Sequence, residues 1–583
     1  MESKGLKNVL SCFGLILAGA LLYSLSNPGF IVKQGFAPAA WIMYVPYLFL
    51  IKKCTFKSVW FFSGLYGIFA VGLYAYWLYN YSSICLVLVL IIAFVGMILF
   101  GLLIKAIDYM FLKNAWLVQF IALCAFDYVR TLGFLGCHYG IAAYTQWSFE
   151  PVLQSACIAG VFGLNAFVIF SSCVIFAFLS KLQDKKRLVK IMISDNTHYE
   201  GPSYVNYVSD NEKRLKNTSL VLPVVGLVIW SCLFVLMIIY GSSVLEKDHD
   251  YDYVKVAAVQ HNDIPENSGM ESYTQNVQDL IRLTDEALEI NPDIDMVIWP
   301  ETAVVPSVMY NYNRTDKNER ETLIHHLLQY IDSRTPSFVI GNQHIVTDKS
   351  GANKKYYNSA LLFTPQKNVM PPAPQIYSKN HLVPFSEHFP YEKYFPHIYK
   401  TLLDYEKFFW TPSDELKVFN EKGLSFYTPI CFENSFPELT RKAWKMGARS
   451  VFCLVNDSWS KSLGCQYQHL AMAKFRAVEN HVPVVISAVS GQTAIIDYNG
   501  QITAMALPFT KTYVVGQVPV IPQDQKPTLY NKIGDILGYG MAFLLLAVLL
   551  IRIFVDIIVY IIYGRLQGIK KKEYHYFWLR NRI

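Results

Sequence analysis

The sequence predicts a polytopic α-helical membrane bundle carrying one exported α/β sandwich domain, and three of its features lead there. Of the 583 residues, 53% are hydrophobic and only 16% charged, whereas a soluble chain carries roughly a quarter charged residues. The long apolar runs lie in 1–245 and again in 535–563, while 246–530 is rich in charge, Asn and Pro. Within that middle stretch, short β-rich runs alternate with segments of helical periodicity.

Eight apolar runs approach the about 20 residues that a helix needs to cross a bilayer. They lie near 7–25, 35–51, 58–78, 82–104, 115–134, 152–180, 219–241 and 536–563. The first is longer than a signal-peptide core and lacks a small-residue cleavage site, so it reads as a retained helix. The fifth contains Asp127 and Arg130, three residues apart, which read as a bridge on one helix face that locks the bundle.

Lys52, Lys53, Lys57, Lys105 and Lys113 fall in loops on one side, with the basic 181–218 loop, Arg565 and Lys570 to Lys572. The opposite short loops, 79–81 and 135–151, hold no Lys or Arg. The positive-inside rule then puts both termini in the cytoplasm and 246–530 on the periplasmic side of an inner membrane. The chain divides into a membrane domain, 1–245, a periplasmic domain, 246–530, and a last helix with a basic tail, 531–583. The polar 181–218 segment, with Gly201-Pro202, is expected to be a cytoplasmic loop with little structure. The net charge of +7 is a topology signal. No basic patch is interleaved with aromatics, so nucleic acid is not an expected partner.

Of eleven cysteines, Cys431, Cys453 and Cys465 belong to the exported domain. An odd number leaves a free thiol, and a Cys453–Cys465 bridge would leave Cys431. Neither a CxxC pair nor a His/Cys cluster of zinc spacing occurs, and His325-His326 has no nearby ligand partner, so no metal is expected.

In the exported domain "YVKVAAVQ", "DMVIWPE", "SFVIGNQH", "SALLFTP", "LSFYTPICFE", "SVFCLVND", "PVVISAV" and "QTAIIDYNG" read as strands. "SYTQNVQDLIRLTDEALEI", "ERETLIHHLLQYIDS" and "YQHLAMAKFRAVENH" read as helices. Continuously apolar strands alternating with helices indicate buried strands, which carry their working residues at strand ends. Three ends bear chemistry: Glu301 in "WPE", Lys379 in "QIYSKNHLVPFSEHFP" with Glu387 eight residues on, and Cys431 in "PICFE". Singly, each has an ordinary reading: a helix cap, a solvated loop charge, a small core hydrophobe. Together they supply a proton acceptor, an ammonium and a thiol, the parts of a thiol acyl-transfer site.

This ordered set resembles the carbon–nitrogen hydrolase, or nitrilase, superfamily with its αββα sandwich. With helices before and after, and with "LVNDSWSKSLGCQYQHLAMAKFRAVEN" at 454–480, the chain resembles within it the apolipoprotein N-acyltransferase family. The resemblance implies a catalytic triad of Glu301, Lys379 and Cys431, with Glu387 supporting the lysine and Glu433 as the acidic residue after the nucleophile. It implies no cofactor, a phospholipid acyl donor, a diacylglyceryl apolipoprotein acceptor and a thioester on Cys431, in a chain working as a monomer. The family's tyrosine after the nucleophile is Phe432 here, which is expected to pack against an acyl chain or a lid. Ile486 and Val489 stand where an Arg and an Asn are expected. Asn456 is a candidate for shaping the pocket, while His469 and Arg476 read as packed, hydrogen-bonded helix residues. Two rivals remain on sequence alone: a membrane-anchored amidase, in which water takes the acyl group, and a non-catalytic transporter or scaffold. An eight-helix anchor argues against the first and the intact triad against the second.

Overall fold

The computed structural model describes residues 2–112, 114–195, 218–246, 250–263, 268–314, 318–348, 353–406 and 409–567. Among the described residues, five helices are long and apolar enough to cross a membrane: Gly5–Ser26, Ser83–Phe111, Ala156–Val189, Val221–Leu245 and Ile536–Ile561. Val59–Tyr74 and Ala115–Val129 are apolar but shorter, at 16 and 15 residues. The 35–51 run is not one helix. It divides into Ala37–Ala40 and Val45–Lys53 around a turn, with Pro38 and Pro46 each at a helix start, where a missing N–H costs nothing.

Arg130 falls just after its helix rather than inside it. It pairs with Asp127 at 2.9 Å and donates to the carbonyls of Cys137 and Tyr139. The pair therefore shapes the 131–141 loop as well as the bundle. The expected 181–218 loop is corrected in its first part, because the helix Ala156–Asp195 runs through it. That reading rested on charge, but Lys and Arg are good helix formers once a helix is already nucleated. Residues 196–217 and the basic tail from 568 onward lie outside the described residues.

The α/β part is two six-stranded sheets, face to face. Twelve strands run in chain order: β1 Tyr253–Gln260, β2 Met296–Ile298, β3 Ser337–Thr347, β4 Lys354–Phe363, β5 Gln375–Ser378 and β6 Val418–Glu421. They continue with β7 Leu424–Tyr427, β8 Ser450–Val455, β9 Val484–Ala488, β10 Ala494–Ile496, β11 Ile502–Met505 and β12 Thr512–Pro519. The sheet orders are β12-β1-β2-β3-β4-β5 and β11-β10-β9-β8-β7-β6. Val256, Ile298, Val339, Leu362, Phe426, Phe452 and Val485 are among the apolar residues packed between the sheets. On the outer face of the first sheet lie Met270–Ile290 and Glu319–Asp332, which add a second core around Trp299, Leu280 and Leu327.

The helix Leu463–Asn480 covers the second sheet and is itself covered by the membrane bundle. Every residue in it except Leu463 and Tyr467 is buried, and its apolar positions join the core of the bundle. Its polar positions reach across: Gln468 donates to the carbonyls of Pro28 and Tyr74, and Glu479 accepts from the Val161 N–H at 2.9 Å. That N–H is available because Gly160, at φ +64°, interrupts the Ala156–Asp195 helix. The Tyr530 ring lies where a Cβ at 160 would stand.

One glycine sets the position of a strand end. A Cβ at Gly341 on β3 would overlap the Pro300 carbonyl and crowd Glu301 Cα. Gly341→Val should therefore push the Pro300-Glu301 turn away from β3, at a cost of about 1–3 kcal/mol for overpacking. The expected outcome is a lower melting temperature of the detergent-solubilised chain by fluorescence, together with loss of activity.

Candidate active site

Three strand ends converge. β2 runs into Trp299-Pro300-Glu301, and Trp299, fully buried, donates from Nε1 to Thr284 Oγ1 at 3.1 Å. Lys379 follows β5 directly, and its N–H donates to the Asn358 carbonyl on β4 at 2.8 Å. Cys431 is not in a strand: β7 stops at Tyr427, Ile430 makes a single bridge to Leu454, and Cys431–Ser435 forms a 3₁₀ turn. Cys431 has φ +52° and Thr302, beside Glu301, φ +45°. Such left-handed conformations in non-glycine residues are costly and must be held by their surroundings.

The structure brings Glu301, Lys379, Glu387 and Cys431 together. Lys379 Nζ lies 2.8 Å from Glu387 Oε1 and 3.4 Å from Glu301 Oε1, with its side chain 1% exposed. Burial alone would lower the lysine pKa, but Glu387 and Glu301 more than offset it and hold the ammonium above its ordinary value. Burial pushes Glu301 up, against the pull of Lys379, with the Cys431 thiol close by. Asn358 Nδ2 also donates to Glu301 Oε1, at 2.7 Å. Burial and the neighbouring Glu301 raise the Cys431 thiol well above its ordinary value, with Lys379 opposing. The raised thiol keeps its proton on sulfur in the resting site.

Glu433 is fully buried and ties two of these loops to each other. Its Oε1 accepts from the N–H groups of Asn380 and His381, just after Lys379, at 2.6 and 3.1 Å. Its Oε2 accepts from the Ile430 N–H at 2.9 Å, and Tyr377 Oη donates to the carboxylate at 2.9 and 3.0 Å. Burial raises its pKa, opposed by the Ile430 and Asn380 N–H groups. Phe432 stacks with Tyr139 of the membrane loop, centroids 6.5 Å apart, and lies edge-on to Phe436 at 5.0 Å.

Asn456 Oδ1 accepts from the N–H and hydroxyl of Ser458, a local turn typical of asparagine after a strand. One expectation is corrected. The Cys453–Cys465 bridge does not form, and both thiols are free and buried.

Sequence reading missed Asn358, Tyr377 and Asp457. An asparagine in the apolar half of "YYNSALLF" was the available signal for the first, since a buried amide needs a partner. Cys431, Asp457 and His469 each place one ligand-type atom within 4.8 Å of the others. Yet both ring nitrogens of His469 face oxygen acceptors, Asp457 at 3.2 Å and the Cys431 carbonyl at 2.9 Å. The cluster is a hydrogen-bonded chain, with no imidazole lone pair directed at an ion.

A half-buried thiol beside a carboxylate and an ion-paired lysine, at the strand ends of an αββα sandwich, defines a carbon–nitrogen hydrolase domain. Residues 255–521 match the carbon-nitrogen hydrolase family model, and residues 18–174 match that of the apolipoprotein N-acyltransferase N-terminal domain. Apolipoprotein N-acyltransferase 1 of Treponema denticola is 36% identical over 91% of this chain and 95% of its own. Apolipoprotein N-acyltransferase 1 of Treponema pallidum is 34% identical over 87% and 90%. The Borreliella burgdorferi apolipoprotein N-acyltransferase is 28% identical over 90% and 92%. This chain belongs to the apolipoprotein N-acyltransferase family.

Glu433→Gln tests the tie between the loops. A glutamine must turn its NH₂ toward either the Ile430 N–H or those of Asn380 and His381, setting donor against donor. The expected cost is about 3 kcal/mol, read as a lower melting temperature and at least a roughly tenfold loss of acyl transfer.

Proposed function

We propose that this chain moves an acyl chain from a membrane phospholipid to the N-terminal α-amine of a diacylglyceryl-cysteine on an apolipoprotein, through a thioester on Cys431. The observation that carries this is the buried Glu301–Lys379–Glu387 ion-pair cluster set beside the Cys431 thiol. The names of the relatives, which cover nearly the whole chain, support the substrate class.

Glu301 takes the thiol proton as sulfur attacks the ester carbonyl. That transfer leaves the summed charge of Lys379, Glu387, Glu301 and Cys431 unchanged, so burial opposes it far less than it opposes creating a new charge. The tetrahedral oxyanion is held by Lys379 and by a backbone N–H beside Cys431. The C–O bond breaks and the lysophospholipid oxygen leaves with the proton from Glu301. In the second half the amine attacks the thioester and gives its proton to Glu301. The C–S bond breaks, the sulfur recovers that proton, and an amide remains. Glu387 keeps Lys379 charged throughout, and Glu433 keeps the lysine loop and the nucleophile turn in register.

The loop charges support a periplasmic α/β domain with both termini cytoplasmic. All groups of the triad come from one chain, which supports a monomer as the working unit.

Incubation of the full chain with phospholipid vesicles should leave an acyl adduct on Cys431, detected by mass spectrometry and discharged by a lipopeptide amine faster than by water. Cys431→Ala and Cys431→Ser should lose transfer by at least a factor of about 10³. Near-normal transfer by either variant sinks the mechanism, and fast discharge by water alone would indicate an amidase.

The pH dependence follows from Glu301. It must be ionised to act as base, and its raised pKa means that activity is lost as pH falls through a value above the ordinary glutamate range of about 4.3. The acylation rate measured against pH should show this acid limb, and Glu301→Gln should abolish acylation.

A further inference from the structure

His469 touches the nucleophile and Asp457 touches His469, yet the steps above do not use them. Asp457 follows β8, and His469 lies on the buried helix Leu463–Asn480. Both are 3% exposed. His469 Nε2 is 2.9 Å from the Cys431 carbonyl oxygen, and Nδ1 is 3.3 and 3.2 Å from the two Asp457 oxygens. A carbonyl oxygen can only accept, so Nε2 carries a hydrogen. The carboxylate facing Nδ1 also lacks a donor unless the pair shares a second proton. The ring and carboxylate together therefore hold two protons. Burial would lower the ring's pKa, but Asp457 more than offsets this and raises it. The other titratable groups facing the ring are Cys431 and Glu301, while Cys465 and Tyr139 face Asp457.

The bond acts on a strained residue. Glu433 holds the Ile430 N–H on one side of Cys431, and His469 holds the carbonyl on the other. The Cys431 carbonyl and the Phe432 N–H belong to one planar trans peptide, so they point in opposite directions. Fixing the carbonyl fixes the N–H. A donor carrying positive charge also polarises that peptide, making its N–H a stronger donor. The ring is anchored in turn, because its neighbour Gln468 is bonded to Pro28 and Tyr74 of the membrane bundle.

We propose that His469, held by Asp457, is a positioning residue whose Nε2–H clamps the Cys431 carbonyl and so aims the Phe432 N–H at the oxyanion of acyl transfer. The proposal rests on Cys431 being the nucleophile. It assigns work to a residue that sequence reading took as helix packing.

The test compares wild type, His469→Ala, His469→Gln and Asp457→Asn as full chains in phospholipid nanodiscs. It measures Cys431 acylation by mass spectrometry against phospholipid concentration, with melting temperature as the control for folding. Loss of one oxyanion donor lowers kcat by about 10²–10³. His469→Ala should therefore acylate roughly 100-fold more slowly, with the half-saturating phospholipid concentration unchanged. His469→Gln, which keeps an N–H but no charge, should recover at least about tenfold of that loss. Asp457→Asn should fall between Gln and wild type. Should the alanine variant not accumulate, the glutamine and Asp457→Asn chains decide: each must acylate more slowly at unchanged half-saturation. Rates within threefold of wild type in folded variants, or a change in half-saturation alone, overturn the proposal. So does a folded glutamine variant no better than alanine. Absence of any Cys431 adduct in wild type would instead overturn the mechanism on which the proposal rests.

Discussion

The ammonium of Lys379 has almost no contact with water, and two carboxylates from different loops keep it charged. Removing an ion from water into a protein interior costs several kcal/mol. One carboxylate at about 3 Å returns roughly 5 kcal/mol at an effective dielectric constant of about 20, so a single partner would come close to break-even. Glu301 and Glu387 together hold the charge. This requirement fixes the arrangement around it: β2 must deliver Glu301, β5 must deliver Lys379, and the 380–387 loop must fold back to return Glu387. That return is closed by the Val383 N–H, which donates to Glu387 Oε2 at 2.8 Å.

The second constraint is the shared helix Leu463–Asn480. In an αββα sandwich the outer helices usually show one face to water, but here the membrane bundle replaces the water. A helix buried on both sides still carries Gln466, Gln468, His469, Lys474, Arg476 and Glu479. These side chains persist because partners meet them across the junction, as when Lys474 faces Glu150 and Arg476 reaches Tyr144. The bundle is thereby fixed to the same helix that touches the Cys431 carbonyl. Loop residues add to this junction: Trp459 packs on Trp77 and Tyr81, and Tyr81 bonds to Ser386, next to Glu387.

The eight central strands were legible as β-branched and apolar runs, because strands buried on both faces leave a simple composition signal. β6 and β11, which close the edges of the second sheet, were not, since half-exposed edge strands carry mixed residues. β12, the edge strand that pairs antiparallel with β1, was missed as well. The 181–195 segment was misread because charge marks solvent exposure and not helix or loop. Glu301, Lys379, Cys431, Glu387 and Glu433 were legible only as an ordered set that resembles a family. Asn358, Asp457 and Tyr377 were missed, and of the three only Asn358 carried a local signal, a polar amide in an apolar run.

What the sequence determined by itself is what composition and local order encode. Long apolar runs require lipid or a large core, alternating β and helical segments require a layered sandwich, and three chemistry-bearing strand ends mark one site only through the family their order resembles. What only the tertiary structure decided is which groups lie within about 3 Å of one another. The burial of Leu463–Asn480, the partners of Glu433 and the bond from His469 to the Cys431 carbonyl all join residues far apart in the chain. Hydrogen-bond and ion-pair energies fall steeply with distance, so no periodicity along one strand or helix can report them.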